Sequence, residues 1–162
     1  MIRGLKGKLL TLSAVVVLST LSTTAFPSNS ANPGSDEVYN PQVVGQIFKS
    51  AEANNNWKLA FLTGKNAQIV FMNVSPATNP QNEIGMETHP FDQVILLVQG
   101  SGKALLNGKE SAIKAGDLIF IPQGIQHNII NSNPNLPLKL ISFYSNRDIP
   151  ANAAYKTKAE AP

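Results

Sequence analysis

The chain has 162 residues, of which 14% are charged, and its formal net charge is +3. This length is typical of one domain that can bury a hydrophobic core without covalent cross-links. The sequence has no cysteine, which excludes disulfides, thiolate catalysis, iron–sulfur clusters and cysteine-based zinc sites. Lys and Arg are scattered and form no basic cluster interleaved with aromatic residues, so we expect no nucleic-acid partner.

Residues 1–25 have the three parts of a secretory signal peptide. The basic start MIRGLKGK precedes the apolar run LLTLSAVVVLSTL, and small residues follow in STTAFP. The apolar run is shorter than the roughly 20 residues that a membrane-spanning helix needs. We therefore predict a periplasmic or secreted protein that is cleaved after Ala25 and has no membrane span thereafter. A retained membrane anchor is the alternative.

Residues 26–40 are rich in Ser, Asn, Pro and Gly, a composition that predicts a flexible leader. The folded domain is expected to occupy residues 41–162. At its start, Val43, Val44, Ile47 and Phe48 recur at helical spacing behind Pro41, which suits the first turn of a helix. The pattern predicts a short helix over residues 41–53 that lies outside a sheet and covers it.

Short apolar runs separated by turn residues follow, and they predict an all-β fold between residues 42 and 146. The pair Asn107-Gly108 is typical of a tight hairpin, because both residues tolerate positive φ. Strands this short, often apolar on both faces, favour a closed barrel or a two-sheet jelly roll. The runs are WKLAFLT, AQIVFMNV, FDQVILLVQG, KALLNGKE, DLIFIP, HNIIN and LPLKLISFYS.

The pattern also predicts where several apolar and aromatic side chains lie in this barrel. The alternating residues of the third and fifth runs are predicted to be core: Val94, Leu96, Val98, Leu118 and Phe120. Tyr144 either reaches the barrel cavity or packs on a sheet, and the pattern supports both positions.

His127 lies in a segment that fits a known motif. In GDLIFIPQGIQHNIIN, five residues fill every fixed position of the pattern G-x5-P-x-G-x2-H-x3-N: Gly116, Pro122, Gly124, His127 and Asn131. The glycines permit turns that other residues disfavour, and the proline fixes φ at a strand end. We therefore expect His127 on the following strand, facing the interior. The pattern is the second signature of the cupin superfamily, which this sequence resembles.

The first cupin signature, H-x-H-x(3,4)-E-x(6)-G, is similar to ETHPFDQVILLVQG in this chain. Counting back from Gly100 places Gln93 at the usual glutamate, His89 at the second histidine and Glu87 at the first. Nearly all of the chain beyond residue 50 resembles small bacterial single-domain cupins often labelled mannose-6-phosphate isomerase-like. The resemblance implies a cupin jelly-roll β-barrel of two antiparallel sheets, with its core motifs in residues 85–131, and a homodimer.

The resemblance also implies a metal site formed by Glu87, His89, Gln93 and His127. Glu87 and His89 project from the same face of an extended chain, and Gln93 keeps that parity if no bulge intervenes. One carboxylate, one carboxamide and two imidazoles suit a divalent Mn, Fe, Ni or Zn ion. The alternative is a metal-free site in which the four residues hydrogen-bond one another and trapped water. Asp92 has the opposite parity and is expected to point away.

Two classes of function agree with these residues. The first is a metal-dependent enzyme, an isomerase or a dioxygenase, that acts on a small organic molecule; Glu87 is then either a metal ligand or the catalytic base. The second is a noncatalytic module that binds a sugar or another small molecule without metal. The fold does not choose between them.

Overall fold

The computed structural model describes residues 40–161. The predicted signal peptide and nearly all of the predicted leader lie outside the described residues. Within residues 40–161 no helix has the length and apolar character that crossing a membrane requires. The helix α1 spans Ile47–Ala53, and the strands are β1 Lys58–Thr63, β2 Gln68–Val74, β3 Gln93–Gln99, β4 Ser101–Leu106, β5 Lys109–Lys114, β6 Leu118–Ile121, β7 His127–Asn131, β8 Leu138–Tyr144 and β9 Ala154–Tyr155.

The strands form two antiparallel sheets, as predicted. One sheet has six strands in the order β6-β3-β8-β2-β1-β9, and the other has three in the order β5-β4-β7. Short bridges add a further segment beside β7, where Glu83 pairs with Ile130 and Glu87 pairs with His127. The core lies between the sheets and includes fully buried side chains from both: Val70, Ile95, Ile129 and Leu140. The prediction of an all-β jelly roll with one short helix is confirmed.

The hairpin predicted at Asn107-Gly108 joins β4 to β5. Asn107 has φ 47° and Gly108 has φ 77°, as a two-residue turn with both central residues at positive φ requires. The register runs without a shift from the pair Leu106–Lys109 to the pair Ser101–Lys114. Each of the seven predicted runs overlaps at least one strand. The two-residue strand β9 was not predicted, because it is too short to show a pattern.

The prediction that Leu118 and Phe120 belong to the core is wrong. Their side chains are 63% and 56% exposed, and they pair with Leu96 and Val94 across the outer face of the large sheet. Side chains alternate along a strand, so the inward orientation of Gln93 sends Val94 and Leu96 outward. The core residues are instead those of the opposite parity: Ile95, Leu97, Ile119 and Ile121.

The helix begins later than predicted. It starts at Ile47, and Val43 is almost fully exposed, so Pro41 does not occupy a first turn. The helix does cover the outer face of the large sheet, where Ala51 packs with Phe71 and Ile141. The buried amine of Lys139 in β8 fixes the end of the helix by donating to the carbonyls of Glu52 and Asn54.

Asn131, the last residue of the second motif, ties three segments together. Its buried amide donates to the carbonyls of Val74, Ser75 and Leu136. Its side-chain oxygen, Oδ1, accepts the backbone N–H of Asn133. The side chain of Asn131 therefore connects the end of β2 and the loop before β8 to the end of β7.

We expect Asn131→Ala to lower the free energy of unfolding by about 2–4 kcal/mol, because it leaves buried carbonyl groups without donors. Chemical denaturation measures the change. The control is Asn135→Ala, at an exposed residue of the following loop, which should alter stability by less than about 0.5 kcal/mol. Equal stability of the two variants would contradict the role assigned to Asn131.

Candidate metal site

Backbone pairing places Glu87 beside His127. The N–H of Glu87 donates to the carbonyl of His127 at 2.9 Å, and the N–H of His127 donates to the carbonyl of Glu87 at 3.0 Å. Directly opposed residues of an antiparallel pair project to the same side. Accordingly, Nε2 of His127 lies 4.0 Å from Oε2 of Glu87.

His89 lies two residues after Glu87 and joins the same cluster. Its Nε2 is 3.4 Å from Oε2 of Glu87. Its backbone carbonyl accepts the N–H of Gly124 at 2.9 Å, and Gly124 has φ 79°. Gly124 of the second motif thus makes this hydrogen bond to the first motif from a left-handed backbone conformation. That conformation favours glycine over other residues. One ligand atom each from Glu87, His89 and His127 lies within 4.8 Å of the others.

Gln93 reaches the interior by a different route from the one predicted. The chain bends at residues 90–92 and enters the large sheet as β3, so Gln93 is not on one continuous strand with Glu87. Its side chain is nonetheless buried, and its amide donates to the hydroxyl of Ser142 at 3.2 Å. Three of the predicted residues thus form one cluster, and Gln93 points inward from the large sheet.

His127 has the tautomer that a metal ligand requires. Its Nδ1 lies 2.9 Å from the carbonyl of Ile125, an acceptor that keeps the proton on Nδ1 and leaves the lone pair on Nε2. Burial lowers the pKa of His127, and the neighbouring His89 lowers it further, which outweighs the opposing effects of the Ile125 hydrogen bond and of Glu87. The ring is therefore neutral at neutral pH.

Glu87 supplies negative charge to the cluster. Burial raises its pKa, but the contact with His89 and the positive charge of Lys58 outweigh that effect, so the pKa lies below its ordinary value. The carboxylate is therefore ionised at neutral pH. This favours a role as an anionic ligand over a role as a general base, which needs a pKa nearer to neutrality.

The residues present fit a bound divalent ion. Six buried side-chain atoms have no hydrogen-bond partner within the described residues, and three of them belong to the predicted ligands: Nε2 of His89, Nε2 of His127 and Oε1 of Gln93. Buried polar atoms are normally satisfied, so these atoms require a partner that the chain does not supply. The four residues therefore do not satisfy one another, and either a metal ion or trapped water, as in the metal-free alternative, would satisfy these atoms. Two imidazole nitrogens and two oxygen donors suit a first-row divalent metal.

Aromatic residues surround His89. The ring of Phe91 stacks on it at 5.1 Å between centroids, and Tyr144 meets its edge at 5.3 Å. Tyr144 therefore reaches the site. Burial raises its pKa well above the ordinary value, reinforced by the carboxylates of Asp148 and Glu87, so the hydroxyl keeps its proton. Asp92 points away, as expected, and its exposed carboxylate accepts the N–H of Gln123.

Sequence reasoning missed Asp148 and Lys58. Oδ1 of Asp148 lies 3.5 Å from Nδ1 of His89, and Nζ of Lys58 lies 2.7 Å from Oδ2 of Asp148. Asp148 is in the loop after β8 and Lys58 begins β1. Neither belongs to a motif, so only the folded arrangement reveals them.

Comparison with known proteins identifies the family. The Cupin domain family matches residues 77–144. The uncharacterized protein YrkC of Bacillus subtilis (strain 168) is 33% identical over 132 residues, which cover 76% of this chain and 68% of YrkC. The uncharacterized protein L612 of Acanthamoeba polyphaga mimivirus is 38% identical over 116 residues, which cover 68% of this chain and 69% of L612.

A solved structure agrees with these matches. The crystal structure of BH2720 from Bacillus halodurans superposes with a TM-score of 0.68 at 29% identity, covering 74% of this chain and 92% of BH2720. With the two-sheet fold and both motifs in place, these matches assign the chain to the cupin superfamily. The narrower resemblance to mannose-6-phosphate isomerase-like cupins stays a prediction.

Proposed function

We propose that this protein is an exported cupin that binds one divalent metal ion and holds a small organic molecule beside it. Glu87, His89 and His127 are the ligands, and Gln93 is the fourth. The observation that carries the proposal is the convergence of the two buried, unpartnered Nε2 atoms on the Glu87 carboxylate. Export rests on the signal-like composition of residues 1–25.

When bound, such an ion supplies Lewis acidity toward an oxygen of the small molecule. The residues of the chain supply the negative charge, the hydrogen bonds and the exclusion of water. Glu87 contributes the negative charge, and His127 presents a lone pair held in place by Ile125. The protonated hydroxyl of Tyr144 is a hydrogen-bond donor for the small molecule, and Phe91 excludes water from one side. Two metal-dependent reaction classes agree with this site, namely isomerisation and dioxygenation.

We also propose a homodimer built on the outer face of the large sheet. Leu118 and Phe120 on the edge strand β6, together with Phe143 on β8, are exposed there. They flank Val94 and Leu96 of β3 in register, which makes one continuous apolar patch. Such patches mark interaction sites, and the resemblance to small cupins favours a second copy as the occupant.

Metal content tests the central proposal. We expect His127→Ala to reduce bound metal from about one equivalent to background, because it removes one of two imidazoles. Gln93→Glu should tighten binding, since it restores the carboxylate usual at that position. Elemental analysis and the thermal shift on adding Mn, Fe, Ni or Zn measure both effects.

The matched control is Gln126→Ala, an exposed neighbour of His127, which should leave metal content unchanged. Identical metal content and thermal shifts in wild type, His127→Ala and Gln93→Glu would contradict the metal proposal. That outcome would favour the noncatalytic module that binds a small molecule without metal.

The dimer is tested by Phe120→Lys, which places a charge in the apolar patch. We expect it to shift the protein from dimer to monomer at micromolar concentration in sedimentation velocity. Leu136→Lys is the control, because Leu136 is similarly exposed but lies in the loop before β8, outside the patch. A monomeric wild type, or a dimeric Phe120→Lys variant, would contradict the proposal.

Export is tested by expressing the full chain in a Gram-negative host and measuring the mass of the protein in the periplasm. We expect a chain that begins near Phe26, because Thr23 and Ala25 satisfy the small-residue cleavage rule. An intact chain that stays with the membrane or in the cytoplasm would contradict export.

A further inference from the structure

A row of charged and polar side chains leads away from the metal site behind His89. On the side facing the site, Nε2 of His89 lies 3.4 Å from Glu87. On the opposite side, Nδ1 lies 3.5 Å from Oδ1 of Asp148, and Oδ2 of Asp148 lies 2.7 Å from Nζ of Lys58. The side chains of Asp148 and Lys58 are only 11% and 9% exposed, so solvent screens these contacts weakly.

A buried amide holds Asp148 where it can act on His89. Oε1 of Gln68 accepts the backbone N–H groups of Asp148 at 2.9 Å and of Ile149 at 3.1 Å. Nε2 of Gln68 donates to the carbonyl of Ile149 at 2.8 Å and to the hydroxyl of Thr63 at 3.0 Å. The loop after β8 is therefore fixed to β2 at the residue that faces His89.

The packing around His89 fixes the plane of the imidazole but not its flip state or the position of its proton. Phe91 is nearly parallel to the imidazole, at 10°, and Tyr144 meets it at 75°. These contacts confine the plane of the ring. They do not determine whether the ring is flipped, nor which nitrogen carries the proton, because an aromatic neighbour does not distinguish nitrogen from carbon by hydrogen bonding.

We propose that Asp148 is a positioning residue that keeps the proton of His89 on Nδ1 and directs the lone pair of Nε2 into the metal site, with Lys58 holding Asp148. A carboxylate behind a metal-ligating histidine has this effect in metal sites generally. The expected effect of Asp148 on metal binding rests on the proposed function. The state of the ring itself is measurable without metal.

The chain has only two histidines, so long-range proton–nitrogen NMR of the metal-free protein resolves both rings. In the metal-free wild type Nε2 also faces the carboxylate of Glu87 at 3.4 Å, so we expect the Nδ1–H tautomer of His89 to be populated beside the Nε2–H tautomer. In Asp148→Asn, which keeps the shape but loses the charge, the Nδ1–H population of His89 should fall. His127 is the internal control, because Ile125 and not Asp148 is the neighbour of its Nδ1, and its signals should not change tautomer.

The second readout is affinity for Co²⁺, followed by its visible absorption. We expect Asp148→Asn to weaken binding by about 10–100-fold. Asp117→Asn is the matched control, since that carboxylate caps the turn before β6, and it should leave affinity and both tautomers unchanged.

The outcomes separate the two proposals. A metal-free wild type in which His89 is entirely the Nε2–H tautomer overturns the positioning role, whether or not any variant folds. Unchanged tautomer populations in Asp148→Asn, or a Co²⁺ affinity that is measurable and equal in the two proteins, also overturn it. A shift in tautomer with no Co²⁺ binding by the wild type supports the positioning role and defeats the metal proposal.

Discussion

The pair of backbone hydrogen bonds between Glu87 and His127 is the contact on which the site depends. It joins the first cupin motif to the second and places the carboxylate and one imidazole on the same face. His89 follows at the spacing that returns its side chain to that face, and the turn at Gly124 binds its carbonyl. The geometry of the three side chains thus follows from main-chain hydrogen bonds.

The interior of the barrel combines a dry core with a small polar centre. Ile95 and Leu97 follow Gln93 on the inner face of β3, so one strand supplies both hydrophobic packing and a polar donor. Leaving Nε2 of two histidines and Oε1 of Gln93 without protein partners costs stability, because buried polar atoms lose their hydration. A site for a ligand explains that cost, since an ion or a small molecule recovers it on binding.

Much of this arrangement could be predicted, because the two motifs combine residues with strong local preferences. The hairpin at Asn107-Gly108 and the turns at Gly116 and Gly124 all have positive φ, and His127 begins a strand with its ring buried. These are properties of short segments, and short segments are what a sequence pattern describes.

The features that the sequence analysis predicted wrongly or missed all depend on long-range packing. Alternation along β3 and β6 did not reveal which face was inside, so Leu118 and Phe120 were predicted as core although they lie on the outer face. Lys58 and Asp148 are distant from His89 in the sequence and reach it only because the large sheet closes behind the site. Likewise, the bend at residues 90–92 moves Gln93 to the other sheet, a change that parity counting does not detect.

A crystal structure of the protein grown with Mn²⁺ or Zn²⁺, with anomalous data collected at the absorption edge of the metal, tests the central claim most directly. The central claim predicts one anomalous peak inside the barrel, about 2.0–2.2 Å from the donor atoms of its ligands, which are Glu87, His89, Gln93 and His127. A barrel without a peak, or a peak bound by other residues, would contradict it.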